Sequence, residues 1–125
     1  MRQPARTHAA LLVGIAGASA VLLGAFGAHA LRGVLDARGV ELWHTAVNYH
    51  GWHALALALA VGLGRGRSGR VATAAFAVGI VLFSGSLYAL ALGAPRWVGI
   101  VTPLGGIAFV AGWLALGWTL RPRHE

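Results

Sequence analysis

Apolar positions gather into four long stretches, 9–31, 43–63, 71–92 and 98–120, and none of the four has an Asp, Glu, Lys or Arg in its interior. A helix crossing the hydrocarbon core of a bilayer needs roughly 20 such residues. Between the stretches lie "RGVLDARGVE", which gathers charge and glycine, the short basic loop "GRGRSGR", and the Gly-Pro turn "GAPRW". Connections this short make sequential helices antiparallel neighbours. The pattern therefore predicts an all-α integral membrane protein, with a single membrane domain over residues 1–125 that forms an antiparallel four-transmembrane-helix bundle. In the first break, Leu31, Val34 and Leu35 share one side, so 32–40 is expected to be a short interfacial segment or an extension of the first span.

Charge orients the bundle. With the N-terminus in the cytoplasm, the inside segments hold Arg2, Arg6, Arg65, Arg67, Arg70, Arg121 and Arg123, and the outside loops hold Arg32, Arg38 and Arg96. Cytoplasmic loops are enriched in Arg and Lys, so both termini are expected inside, with Trp43 and Trp97 at the outer interface and Trp118 at the inner one. The first 30 residues also look like a secretory signal, ending in Ala28-His29-Ala30. Their apolar stretch exceeds the roughly 7–15 residues of a signal core, so the first span is expected to be retained.

Composition sharpens this picture. The chain is 58% hydrophobic and 10% charged, against about 25% charged in soluble domains. It has no cysteine, which removes disulfides and thiolate metal sites. A net charge of +7 is compatible with nucleic-acid binding, but the arginines flank apolar runs and form no basic face, so no nucleic-acid partner is expected. Every basic residue is Arg, and with abundant Ala and Gly this fits a GC-rich bacterial genome. The expected place is a bacterial membrane.

Helices in lipid associate through small residues that permit close approach. Ala16, Ala20, Gly24 and Ala28 form such a ridge on the first span, widened by Gly17 and Gly27. Ala75 and Gly79 on the third and Gly105, Gly106 and Gly112 on the fourth are similar, and Thr102-Pro103 is the expected N-cap and first helical residue of the regular part of span four. These ridges exceed what one small bundle needs, so self-association or a membrane-protein partner is expected beside the lipids.

The chemically suggestive stretch is "NYHGWHA", residues 48–54. Tyr49 and His53 are four apart and His50 and His53 three apart, so the three share an arc of about 100° on one helix face. His29 on span one, Ser84, Ser86 and Tyr88 on span three, and Thr102 on span four fall at similar depth in the outer half. Only Ser19, Thr73 and Thr119 interrupt the inner half. A polar lining on one side alone does not make a through-membrane channel.

"LLGAFGAHALR", "TAVNYHGWHALALA", "VLFSGSLYALAL" and "VTPLGGIAFVAGW" occur in this order. On these motifs the chain resembles, from about residue 11 to 118, the YgdD-like family of small inner-membrane proteins, also known as domain of unknown function 423. The resemblance implies a multi-span bacterial membrane protein and brings no established reaction. The positions it carries over are Gly24, Phe26, Gly27, His29, Tyr49, His53, Ser84, Gly85, Ser86, Tyr88, Thr102, Pro103, Gly105 and Gly106. Family members often have Gln where this chain has His50, which weighs against His50 as an obligatory ligand.

Ionisable groups within a membrane are costly and mark functional positions by default, but a neutral histidine is the weakest case. The preferred reading is that His29, Tyr49, His53, Ser84, Ser86, Tyr88 and Thr102 hydrogen-bond across helices and fix their packing. The alternative is that they bind a small amphipathic ligand, such as a quinone or lipid headgroup, or relay a proton. Haem between His29 and His53 ranks below these because the two differ in depth. A metal held by His29, His50 and His53 lacks a carboxylate, Asp36 and Glu41 lying in the connecting loop. A serine hydrolase would need an acid to orient the histidine, and "TPLGG" has no lysine for a phosphate loop. No enzyme is expected, and the sequence identifies no cofactor.

Overall fold

The computed structural model describes residues 3–123, which form helices and turns only. Helix α1 is Gln3–His29 and α2 is Ala37–Leu63. A third rod runs without a break through α3 (Gly66–Gly79), a π-helical turn (Ile80–Ser84) and α4 (Gly85–Ala91). A 3-10 turn, Arg96–Ile100, leads into α5 (Val101–Leu120). Three of these rods, Arg6–His29, Gly66–Ala91 and Arg96–Leu120, are long and apolar enough to cross a membrane.

Helix α2 is as long as α1, but Asn48, His50 and His53 dilute its apolarity. Those polar side chains sit on the central helix of the fold, which packs against α1, α3, α4 and α5. Helix α1 packs chiefly on α2. There Ala16 and Ala20 are buried, and Gly27 lies against the Trp43 indole so closely that a Cβ would overlap the ring. Ala28 at the end of the expected ridge is exposed. Trp43 is only 3% exposed and donates from Nε1 to the Leu23 carbonyl at 3.0 Å. It is thus an interhelical residue and not part of a lipid-facing belt, because the glycine opposite leaves room for its ring. Trp97 and Trp118 are exposed.

Helices α3 and α5 interlock reciprocally. Phe76 of α3 covers Gly112 of α5, and Phe109 of α5 covers Gly79 of α3. The spacing of three residues on both helices lets each ring fill the notch in the other. Phe76 is completely buried. One turn further, Gly105 meets the backbone of Phe83 within the π turn, where a Cβ could not fit. The π turn inserts one extra residue into the helix and places Ser84, also fully buried, against α2.

The segment 32–40 divides between two structures. Residues 30–34 form a turn with Leu31 buried and Gly33 at φ 77°, a conformation that favours glycine. Asp36 then caps α2, its side chain accepting from the Gly39 amide at 2.7 Å, and 37–40 belong to α2. Glu41 is likewise helical, not in a loop. Thr102 does not cap α5, which starts at Val101 because the preceding 3-10 turn already supplies helical geometry. At the opposite end, Thr119 of α5 accepts from the Arg65 amide at 2.8 Å and donates to the Arg65 carbonyl at 3.0 Å, tying the α2–α3 loop to α5.

Candidate functional site

The arc of Tyr49, His50 and His53 on α2 faces two different seams of the fold. His50, at one edge, is buried between α1 and α4. Its Nε2 is 3.0 Å from Ser19 Oγ and its Nδ1 is 2.8 Å from the Tyr88 hydroxyl. Ser19 Oγ donates its proton to the Ala16 carbonyl at 3.1 Å. A hydroxyl has one proton to donate, so Ser19 must accept from His50. The ring is then the Nε2–H tautomer, and Nδ1 accepts from Tyr88. The chain Tyr88→His50→Ser19→Ala16 runs from α4 through α2 to α1 and ends on a backbone carbonyl.

His53 lies on the seam with α5. Its Nδ1 is 2.7 Å from the Tyr49 carbonyl, which can only accept, and its Nε2 is 3.0 Å from Trp113 Nε1, which can only donate. These partners fix the Nδ1–H tautomer, opposite to that of His50. The ring stacks on Phe109 with centroids 3.5 Å apart and planes 11° apart. Both nitrogens of both histidines are thereby engaged.

The hydroxyls of the third rod serve similar ends. Ser84 donates to the Ala46 carbonyl of α2 at 2.8 Å. Ser86 Oγ reaches the Phe83 carbonyl at 2.9 Å and shares a hydroxyl–hydroxyl bond with Thr102 of α5. No buried side-chain nitrogen or oxygen among the described residues lacks a partner. Tyr88 also packs its ring against Trp43, with centroids 4.7 Å apart.

The sequence-selected residues are therefore not one cluster. Tyr88 meets His50; Ser86 meets Thr102; Ser84 meets α2 backbone; and His53 meets Tyr49 only through the latter's carbonyl and ring. His29 stands apart, exposed at the C-terminal end of α1, where the chain turns away and buries Leu31 instead. Among the described residues, no three His, Asp or Glu gather as a metal ion requires, and His29, His50 and His53 do not converge. Three participants escaped the sequence reading. His50 was discounted through the resemblance. Ser19 lies beside the Ala16–Ala20 ridge, a position that already implied a facing helix. Trp113 lies one turn beyond Phe109 and carries a donor that needs an acceptor, but nothing in its own helix points to His53.

A groove of about 680 Å³ opens beside His53, between α5 and the α2–π-turn surface. Tyr49, Phe83, Phe109 and Trp113 give it an aromatic wall, and Pro103 and Gly106 a low rim. Tyr49 is 44% exposed, and its hydroxyl makes no hydrogen bond among the described residues. Such a groove can hold a flat or chain-like apolar group with one polar contact at Tyr49. It offers no nucleophile with a free base beside it.

Known proteins agree with the membrane character of this arrangement. UPF0382 membrane protein YwdK of Bacillus subtilis is 45% identical over 101 residues, covering 78% of this chain and 82% of that protein. A UPF0382 membrane protein of Haemophilus influenzae is 40% identical over 109 residues, covering 86% and 88%. UPF0382 inner membrane protein YgdD of Escherichia coli is 43% identical over 109 residues, covering 82% and 81%. No solved structure matches the chain. The family described as "Protein of unknown function (DUF423)" matches residues 23–106; the chain is a membrane protein and belongs to that DUF423 family.

Proposed function

We propose that this chain is a non-enzymatic, four-span protein of the bacterial inner membrane, with both termini in the cytoplasm, whose intramembrane histidines lock helices together. The observation that carries this reading is the direction of the hydrogen bonds. The His50 chain ends at the Ala16 carbonyl, which has no proton to pass on, and His53 is held between a carbonyl and an indole N–H. A relay needs a terminus that exchanges protons with water or substrate, and a ligand site needs a free donor or acceptor. Both rings instead resemble fixed struts. Helix α2 becomes the fourth span because its two buried histidines are matched by neighbours, which leaves Asn48 and the Tyr49 hydroxyl as the polar side-chain groups exposed in its middle. The YgdD relative is named an inner membrane protein, which supports the same location for this chain.

A compact, locked bundle of this kind serves as a docking unit in the membrane. Leu11, Ile15 and Leu22 on α1 are exposed and follow the i, i+4, i+11 spacing of one helix face, where lipid, a second copy or another membrane protein would lie. Cross-linking through cysteines placed at Ile15 tests self-association: a dimer in native membranes is expected, and monomers alone would remove self-association from this reading. Cysteines placed one at a time in the 64–65 loop and the 92–95 turn test topology. The first should be labelled only from the cytoplasm and the second only from outside.

A second reading is favoured by Tyr49, a half-exposed residue of the aromatic groove's wall whose hydroxyl makes no hydrogen bond among the described residues. There a small amphipathic molecule, a quinone or a lipid, would place its apolar part on Phe83 and Phe109 and its polar end at Tyr49. Native mass spectrometry of protein released gently from its own membranes separates the readings. A stoichiometric extra mass lost in Tyr49→Phe would establish the ligand site. Protein with variable lipid only would favour the packing role.

A further inference from the structure

The arginines that orient the chain also build a second groove, remote from the histidines. It has a volume of about 850 Å³ and lies where the α2–α3 loop and the start of α3 meet the end of α5. Arg65, Arg67, Arg121 and Arg123 all line it, and no acidic residue among the described residues does. Thr119 holds the Arg65 backbone against α5 through its two hydrogen bonds, so the two arginine-bearing segments are fixed side by side. Arg121 lies over the Trp118 ring at 3.8 Å and spends one N–H on the Trp118 carbonyl. A guanidinium has five such donors, so the others remain for an anion. Arg67 and Arg123 make no side-chain contact of this kind with the described residues.

Cations converging on a groove with no acidic residue beside them among the described residues are favoured only if something negative joins them. The groove is also graded in polarity. One turn deeper along the bundle its lining is Val71 and Leu114, both exposed and apolar. Trp118, 61% exposed in the last turn of α5, marks the level of the headgroups. A soluble phosphate would use the arginines and ignore the apolar floor, whereas a phospholipid uses both.

We propose that this groove binds the phosphate headgroup of an anionic phospholipid, with its acyl chains on Val71 and Leu114. Basic pockets between membrane helices commonly take such headgroups. The site is independent of the histidine seams and of the aromatic groove, and it stands on whichever side of the membrane this end of the bundle lies.

The test is native mass spectrometry of the full chain in mild detergent, with dioleoyl phosphatidylglycerol or dioleoyl phosphatidylcholine added at equal concentration. Phosphatidylglycerol should be retained in preference by about tenfold, in line with the attraction of a few arginines for an anionic lipid. The double variant Arg67→Gln/Arg123→Gln should abolish that preference, and Arg32→Gln/Arg38→Gln at the opposite end should keep it. Circular dichroism melts of all three proteins should coincide, because none of these side chains supports the packing; if the groove variant melts early, Arg67→Lys/Arg123→Lys replaces it and should retain the preference. Equal retention of the two lipids, or equal loss in both double variants, would overturn the site. Displacement of phosphatidylglycerol by millimolar inorganic phosphate would overturn its assignment to a lipid and leave a phosphate pocket.

Discussion

Replacing His50 isolates the role of the interhelical chain. His50→Leu keeps the approximate volume but removes both bonds, to Tyr88 at 2.8 Å and to Ser19 at 3.0 Å. Interhelical hydrogen bonds in membranes average about 0.6 kcal/mol each, so the two bonds account for about 1 kcal/mol. Ser19 keeps its own bond to Ala16, whereas the Tyr88 hydroxyl loses its acceptor, and leaving such a group unpaired costs about 1 kcal/mol more at the low end of the range. His50→Leu should therefore cost about 2 kcal/mol. His50→Gln should cost far less, since an amide oxygen can accept from Tyr88 while its NH2 donates to Ser19. Tyr88→Phe should cost about 1.6 kcal/mol in the wild-type background, one bond plus the His50 Nδ1 left without its donor, and should recover about 1 kcal/mol beside His50→Leu, where it removes the stranded hydroxyl. Reversible unfolding in mixed detergent micelles, followed by circular dichroism, gives these values as a double-mutant cycle. Equal damage from Gln and Leu, or additive effects of the His50 and Tyr88 changes, would refute the directed chain.

Other expectations test the remaining seams. Gly105→Ala puts a methyl into the Phe83 backbone and should destabilise by more than the roughly 1–3 kcal/mol of ordinary overpacking, visible as a lowered melting temperature in detergent. Phe76→Ala empties the fully buried notch against Gly112 and should cost about 3 kcal/mol by the same assay. Trp113→Phe keeps an aromatic ring but withdraws the donor to His53; a loss of about 0.6 kcal/mol is expected, together with tautomer exchange at His53 in side-chain NMR. Thr119→Val removes both bonds to Arg65 and should cost about 1 kcal/mol, with no change in the histidine signals.

Apolar length and the charged breaks marked four stretches, and the helices that contain them begin earlier, at Gln3, Ala37, Gly66 and, through the 3-10 turn, Arg96, because their first turns carry polar and charged residues that an apolar window leaves out. Small residues also announced the close approaches, as Gly27, Gly79, Gly105 and Gly112 each accept a neighbour's ring or backbone. The partner of each notch was not legible, since the interlock of Phe76 with Gly112 and Phe109 with Gly79 depends on the register of two antiparallel helices. The π turn at Ile80–Ser84 shifts the following side chains relative to an unbroken α-helix, and "IVLFS" carries no local signal for it. The grouping of polar residues by depth gave their general neighbourhood but merged separate contacts. Depth along a bundle is a one-dimensional coordinate, and which seam a side chain enters depends on rotation about the helix. Thus His53 and His50, three residues apart, reach α5 on one side and α1 with α4 on the other. Trp43 was assigned to the interface by residue type, whereas the space left by Gly27 draws it inside.

Nitrogen-15 NMR of the imidazole side chains, in protein reconstituted in lipid bilayers at neutral pH, addresses the central assignment most directly. Two neutral rings with opposite fixed tautomers are expected: His50 protonated at Nε2 and coupled to Ser19 and Tyr88, and His53 protonated at Nδ1 and coupled to Trp113. A single tautomer for both, or rapid averaging between tautomers at either ring, would contradict the account of these histidines as directed struts between helices.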